Sequence, residues 1–309
     1  MLIFAAKMTP QKTAFLRQHI AVVLFGFTGI LGVLISLDGF SLTWWRMLFT
    51  VMSFLAWPGL VKRALALPRR DLFRLMGIGV LVALHWVTFF GSISMTNASV
   101  AVAVLPCIAL FTAVLEPLIT GSRFKWYEVA LAVTVVPGVI LIKHATEFPI
   151  DGILVAVLSA LFSALFSVFN KVMVAKHDAV VMTFVELTSG WLFLSLCLPF
   201  VLGLMPGLKF APNGMDLAYL CILALGCTTL AYVLSLRSLE QLSTFTVTLI
   251  LNLEPVYTII LAWLLLAENA VLGWGFYAGA AIIIGSVSLH PLLRGWLDKK
   301  PEAEPTTPN

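Results

Sequence analysis

Charge is what this 309-residue sequence has least of. Asp, Glu, Lys and Arg supply 11% of its residues, hydrophobic types supply 61%, and the mean hydropathy is +1.03. Soluble domains hold about a quarter charged residues, so that class is excluded. Polar runs long enough to fold separately are missing too, which leaves no room for an extramembrane catalytic module. Cysteine is scarce. Cys107, Cys197, Cys221 and Cys227 all fall in apolar segments at no zinc or redox spacing, and are expected to be reduced packing residues with no metal site. There is no Walker A phosphate loop, so ATP hydrolysis is not the expected energy source, and no cofactor is expected. An HExxH motif, paired intramembrane aspartates and a Ser/His nucleophile pair are likewise missing, which weighs against an intramembrane enzyme. No cleavage site follows the first long apolar run, so no secretory leader is expected.

What is present is a series of long apolar runs. A helix needs about 20 apolar residues to cross the hydrocarbon core. The runs predict spans over 19–37, 42–61, 72–94, 98–120, 126–143, 151–174, 179–203, 216–235, 243–267 and 271–290. Of the 19 Lys and Arg residues, 16 lie at the chain ends or between alternate pairs of spans, as in the cluster Lys62, Arg63, Arg69, Arg70 and Arg74; only Arg46, Lys143 and Lys209 lie elsewhere. Cytoplasmic connections are the basic ones. The expected fold class is therefore all-α integral membrane, with ten crossings and both termini cytoplasmic. Residues 1–18 form a cytoplasmic N-terminal segment and 291–309 a polar cytoplasmic tail. The net charge of +4 reports this topology, so nucleic acid is not an expected partner.

The halves look alike. VLPCIALFTAVLEPLITGSRFKWYEVALAVTVVPGVILI in the first is matched by NLEPVYTIILAWLLLAENAVLGWGFYAGAAIIIGSVSL in the second, with Pro106 against Pro255, Trp126 against Trp274 and Gly138 against Gly285. Five helices is an odd number, so a second copy enters from the opposite face as an inverted repeat. On this arrangement, on LEPVYTIILAWLLLAE from Leu253 to Glu268, on the Trp45–Arg46 opening of the second span and on the run Ala98 to Pro106, the sequence resembles the EamA family of the drug/metabolite transporter superfamily. The resemblance covers about residues 19–290, as five-helix EamA-like repeats over 19–143 and 151–290. It implies a metabolite transporter fold and does not select a substrate. One departure stands out: Glu268 ends the ninth span, while the matching place in the first half is near Ile119 and Thr120, with Glu116 one turn earlier.

Ionisable groups at membrane depth are costly, so each is a functional candidate. Glu254 lies mid-span, and Pro255 after it frees the Leu251 carbonyl, as Pro106 frees that of Val102. Such breaks are tolerated beside a cavity or as simple bends in packed helices. Thr244, Thr248 and Asn252 form a polar stripe; Glu254 lies about 200° around the helix from Asn252. Either the stripe lines the path and Glu254 bonds a neighbouring helix, or a kink brings both inward. His85, with Trp86, Phe89 and Ser92 near its face, suits an aromatic or cationic metabolite or a proton relay. Ser159, Ser163, Phe166 and Asn170 share one face, and Thr228, Tyr232 and Ser235 another; each suits polar substrate contacts or interhelical bonding equally. Glu186 is a candidate inner-gate or proton site. Glu116 and Lys171 are read as structural, near helix ends. Arg46, placed near the outer end of its span, is a coupling or gating candidate that draws anionic groups inward, with a headgroup or carbonyl anchor as the favoured role. The small-residue stripes Gly26/Gly29/Gly32, Ser159/Ser163/Ser167 and Gly275/Gly279 are read as close helix packing.

The expected function is a secondary transporter, an exporter of a small metabolite such as an amino acid, working by alternating access through a central cavity between the repeats. The substrate-binding candidates are His85, Trp86, Phe89, Ser163, Asn170, Tyr232, Thr248 and Asn252; those for coupling or gating are Glu254, Glu186 and Arg46. The alternative class is an intramembrane enzyme acting on a lipid or small molecule. The expected partners are the substrate, the lipid bilayer and protons as coupling ion, in a monomer or weak dimer of a bacterial inner membrane.

Overall fold

The first helix starts nine residues before hydropathy alone predicts. Thr9 accepts a hydrogen bond from the Lys12 amide and Pro10 occupies the first turn, so α1 spans Pro10–Leu34 and carries Lys12 and Arg17 outside its apolar part. The computed structural model describes residues 9–121, 124, 126–239, 241–242, 250–251 and 253–297, and all regular structure among them is helical. After α1 come α2 (Gly39–Leu55), the short α3 (Leu60–Leu65), α4 (Arg69–Met95), α5 (Ala98–Val104), α6 (Ile108–Thr120), α7 (Trp126–Val133), α8 (Val135–Ala145), α9 (Ile150–Val174), α10 (Ala179–Leu204), α11 (Gly214–Cys221), α12 (Ala231–Leu239), α13 (Glu254–Leu266) and α14 (Trp274–Leu297). Six helices are long and apolar enough to cross a membrane: α1, α4, Ala98–Thr120, α9, α10 and Gly214–Ser235; Val135–Ala145, Glu254–Leu266 and Trp274–Ser286 are apolar but shorter.

Several boundaries differ from the hydropathy reading for local reasons. The run expected over 42–61 stops at Leu55, because Pro58 cannot continue a helix and Gly59 turns the chain at φ +74. The run over 126–143 is divided at Thr134 into α7 and α8. Pro106 does interrupt its helix, with one 3₁₀ turn over Leu105–Cys107 between α5 and α6. Between α11 and α12, Ile222–Leu230 winds as a wide π-helix, and the hydroxyls of Thr228 and Thr229 donate five residues back to Leu223 and Ala224 at 2.8 and 3.0 Å. A π-turn of this kind re-aims side chains and often marks a functional site.

The helices pack in a reciprocal pattern. The first helix of the second half, α9, lies on α4 and α6 of the first; α1 lies on the π-segment, α12 and α13 of the second. The two second helices meet, α2 on α10, and so do the two last, α8 on α14. Backbone proximity drives the last contact, as the small-residue reading expects: a Cβ on Gly279 would stand 2.7 Å from the Gly138 carbonyl oxygen. In α1, a Cβ on Gly29 would stand 3.0 Å from the Thr258 methyl. Three large apolar clusters result among the described residues, one of α2, α4 and α10, one of α5, α8, α9 and α14, and one of α1, α4, α5 and the π-segment, with a small fourth of Ala14 and Leu242.

Candidate functional site

Arg46 stands midway along α2 and is 4% exposed. This corrects the expected location near a helix end at the headgroups: with the helix stopping at Leu55, the centre of α2 shifts onto Arg46. Its Nε donates to the Thr228 hydroxyl oxygen at 3.1 Å, and its guanidinium carbon lies 3.8 Å from the centre of the Trp86 ring and 5.6 Å from that of Phe90. The π-segment presents Thr228 here, since the Thr228 hydroxyl proton is already committed to Leu223 and its lone pair is left to accept. Glu254 on α13 and His85 on α4 lie within electrostatic reach of Arg46, with no direct ion pair.

His85 joins the halves. Its Nδ1 lies 2.9 Å from both the carbonyl and the hydroxyl oxygen of Ser159 on α9, and the Ser159 hydroxyl donates to the His85 carbonyl at 3.0 Å. A carbonyl only accepts, so Nδ1 carries the proton and Nε2 is left without a partner among the described residues. The ring stacks near Phe89 at 6.2 Å and meets Phe166 at 5.5 Å between centres. Ser159, read from sequence as packing or polar lining, thus holds His85 in place; Ser163, one turn on, is buried.

Towards the end of the bundle where α9 and α10 join, the Asn170 amide donates to Glu186 Oε2 at 3.1 Å. Glu186 Oε1 and Asn170 Oδ1 are buried without partners among the described residues. The Tyr232 hydroxyl donates to the Ala179 carbonyl at 3.4 Å, the same carbonyl that accepts from Thr183, one turn before Glu186. Glu254 opens α13, followed by Pro255. Its neighbours face α1: the Tyr257 hydroxyl lies 2.9 Å from His19 Nδ1, and the Thr258 hydroxyl donates to the Gly26 carbonyl at 3.2 Å. Thr244, Thr248 and Asn252 lie outside the described residues.

Arg46, His85, Trp86, Phe89, Ser163, Asn170, Glu186, Tyr232 and Glu254 therefore come from α2, α4, α9, α10, α12 and α13. Three participants take partners that the sequence did not identify. His19 stood at the start of the first expected span, 19–37, and was given no role there. Thr228 acquires its role through the π-turn, for which no sequence signal is evident. Glu268 is buried and accepts from the Ala98 and Ser99 amides at 3.1 and 3.0 Å, capping α5. It borders a recess of about 360 Å³ at that end of the bundle, lined also by Ser36, Asp38, Asn97 and Lys209. That recess belongs to the helix ends and does not include Arg46 or His85.

The model of the EamA-like transporter family matches the chain twice, over residues 14–143 and 150–290. Among curated proteins, none matches. A solved crystal structure, described only as that of a protein, superposes with a TM-score of 0.62, covering 93% of this chain and 99% of that chain at 18% identity. At that identity the likeness is one of fold alone.

Proposed function

The chain belongs to the EamA-like transporter family, multi-pass membrane proteins of the drug/metabolite transporter superfamily, and from that premise we propose that it is a secondary transporter exporting a small metabolite such as an amino acid. Its ten crossings form two inverted five-helix repeats, with both termini in the cytoplasm of a bacterium and the bundle in the inner membrane. Alternating access operates by rocking of the repeats about a site between them. One observation carries this reading: ionisable side chains from both halves lie among apolar helices, Arg46 and Glu186 buried, His85 and Glu254 half-buried. Polar groups at membrane depth are expensive and are retained where a solute or ion passes. His85, Trp86, Phe89, Ser163, Asn170, Tyr232, Thr248 and Asn252 contact the solute, while Glu254, Glu186 and Arg46 serve coupling or gating. Protons are the coupling ion, on the ground that three of the groups at this depth titrate.

The test is counterflow in proteoliposomes with a panel of amino acids, polyamines, nucleosides, sugars and quaternary amines, each recovered and identified after uptake. Accumulation of an unmodified solute, responsive to an imposed pH gradient, is expected. Recovery of a chemically altered solute would make the protein an enzyme. Accumulation indifferent to the pH gradient would leave a transporter and remove the proton.

A further inference from the structure

The two halves are tied to each other at both ends of the bundle, and the ties fall at matched places. Asp71 is the third residue of α4, and Asp216 is the third residue of α11. Asp71 reaches the connection between α9 and α10, where its Oδ2 lies 2.9 Å from His177 Nε2. Asp216 reaches the connection between α1 and α2, where its two oxygens accept from the Ser36 amide and hydroxyl, each at 2.8 Å. A second contact accompanies each of these. Asp178, the N-cap of α10, pairs with Arg63 of α3 at 3.1 Å, and Asp38, the N-cap of α2, accepts from the Lys209 amide at 2.7 Å. All four contacts join one half to the other. They lie at opposite ends: α4 starts at the Asp71 contact and ends with Ser94 in the recess that Ser36, Asp38 and Lys209 also line, a helix length of about 40 Å.

The two ends differ in one chemical respect. The groups that Ser36 and Lys209 offer are amides and a hydroxyl, which do not change charge near neutral pH. Histidine is the side chain that ordinarily does, between about pH 5 and 8. With its proton, His177 makes an ion pair with Asp71 where the two side chains are 13% and 16% exposed, so salt screens them little. Without it, Nε2 is at most a neutral donor. The charged groups around the pair keep their charge over that range. Arg74 on α4 bonds Asp71 Oδ1 at 3.3 Å, and Lys176, next to His177, acts on Asp71 electrostatically. Lys171 on α9 pairs with Glu116, while Lys62, Arg69 and Arg70 on α3 and α4 are exposed. Tyr232 on α12, bonded to the Ala179 carbonyl, is neutral there. The Arg63–Asp178 pair is half exposed and contributes little.

We propose that His177 and Asp71 form a proton-operated latch at the basic end of the bundle. Protonated His177 holds that end closed, and loss of the proton as the pH rises through the imidazole range releases it. The Asp216–Ser36 contact leaves the opposite end without such a switch. The inference rests on the transporter reading above and adds a regulatory site to it, at the helix ends and apart from Arg46, His85, Glu186 and Glu254. In the topology proposed there the basic end faces the cytoplasm, so internal acidification shuts the inner entrance.

The experiment reads the two ends separately, by spin-label distances on the full-length protein in nanodiscs with its native cysteines replaced. Labels at L65C and A175C span the basic end, and labels at L34C and M215C span the other; all four positions are exposed. At the basic end the fraction of long distances is expected to rise about fivefold between about pH 5.5 and about pH 8, the difference between an ionic and a neutral hydrogen bond. At the other end it should stay the same or fall. H177Q, which can donate and does not titrate, should abolish the pH response at the basic end. D71N should open that end at both pH values, and S36A should open the other end equally at both.

The latch falls if the basic-end distances match at the two pH values, if they lengthen in acid, or if folded H177Q keeps the full response. Should H177Q fail to fold, D71N decides, and a full pH response in D71N overturns the assignment. Counterflow of amino acids, polyamines, nucleosides, sugars and quaternary amines runs in parallel at varied internal pH. A pH response at the basic end in a protein that moves no solute would keep the latch and overturn the transporter. Solute movement with distances indifferent to pH would overturn the latch and keep the transporter.

Discussion

α2 and α10, the second helices of the two repeats, begin alike and then part. The fifth residue of each is a threonine whose hydroxyl donates to the first residue's carbonyl: Thr43 to Gly39 at 2.7 Å and Thr183 to Ala179 at 2.9 Å. The eighth residue of each is ionisable and buried, Arg46 in α2 and Glu186 in α10. Each bonds a polar side chain, Arg46 to Thr228 in the other half and Glu186 to Asn170 within its own. The sign of the charge is what differs. A bundle of two identical halves would place like charges at both positions, whereas a fused pair is free to diverge at one. The broken helices repeat the lesson. Pro106 sits between Leu105 and Cys107, while Pro255 follows Glu254. The scaffold is duplicated, and the chemistry within it is one-sided.

The strongest way to break this comparison is to exchange the charges. If positions 46 and 186 were interchangeable, the double variant R46E/E186R would recover what each single variant loses. Recovery is not expected. An arginine at 186 would face the donor amide of Asn170, and a carboxylate at 46 would lie against Trp86 and lose the Nε bond to Thr228. Each single change should remove about 3–5 kcal/mol, the usual effect of breaking a buried charged pairing. The coupling between them should stay within about 0.5 kcal/mol, as for independent sites. A thermal-denaturation cycle in detergent reads both; a double variant as stable as the parent would make the two positions equivalent.

Next in size is the contact that brings α10 against α4. A Cβ at Gly79 would fall on the Glu186 carbonyl oxygen and the Ser189 hydroxyl. G79A should therefore destabilise by about 1–3 kcal/mol or more, the range for overpacking. Gly77, two residues away, has nothing within 4 Å of its Cβ position. G77A should hold or raise the melting temperature, since alanine favours a helix over glycine by about 0.8–1 kcal/mol. Equal losses in the two variants would mean that α4 and α10 do not meet in this way.

Much of this architecture was legible before any coordinates. Long apolar runs marked helices, Pro106, read as either a break or a simple bend, takes one 3₁₀ turn in which the Leu105 amide bonds the Val102 carbonyl, and the Gly275/Gly279 spacing marked a close contact that α8 does make. The site was legible as a list of residues and not as an arrangement. His85 and Ser159 were both visible as polar members of apolar helices, but their bond depends on α4 lying on α9, which periodicity does not encode. Arg46 was misplaced because hydropathy ran through Trp57 and Pro58, and its partner Thr228 is aimed by a π-turn that residue spacing does not reveal. Glu268 was noticed as a helix end, while its role as a cap appears only where α5 approaches it.

The ends of α6 and α13 extend the comparison to smaller effects. In the second repeat the terminal acid, Glu268, is buried and accepts both the Ala98 and Ser99 amides. E268A leaves two amides at the start of α5 without this acceptor, and should remove about 1–2 kcal/mol, as for loss of a strong helix cap. E268Q keeps one acceptor oxygen and should lose less. A melting temperature unchanged in E268A would show that α5 does not depend on the second repeat.

The first repeat has its acid one turn earlier, and there it does something weaker. Glu116 pairs with Lys171 on α9, with side chains 29% and 60% exposed. The pair lies near the helix ends, where Lys171 can remain solvated and side-chain entropy opposes its fixed geometry. Removing it by E116A should therefore change stability by no more than about 1 kcal/mol, and less at high salt. Adding back charge by K171E in E116A should be equally mild, because an exposed site reorganises where a buried one cannot. The contrast to measure is E116A against E268A in one buffer at low and high salt. A salt-sensitive, small loss for the first and a salt-insensitive, larger loss for the second would place the two acids in different roles. Equal losses would mean that the two repeat ends still perform the same task, and that divergence is confined to the positions around Arg46 and Glu186.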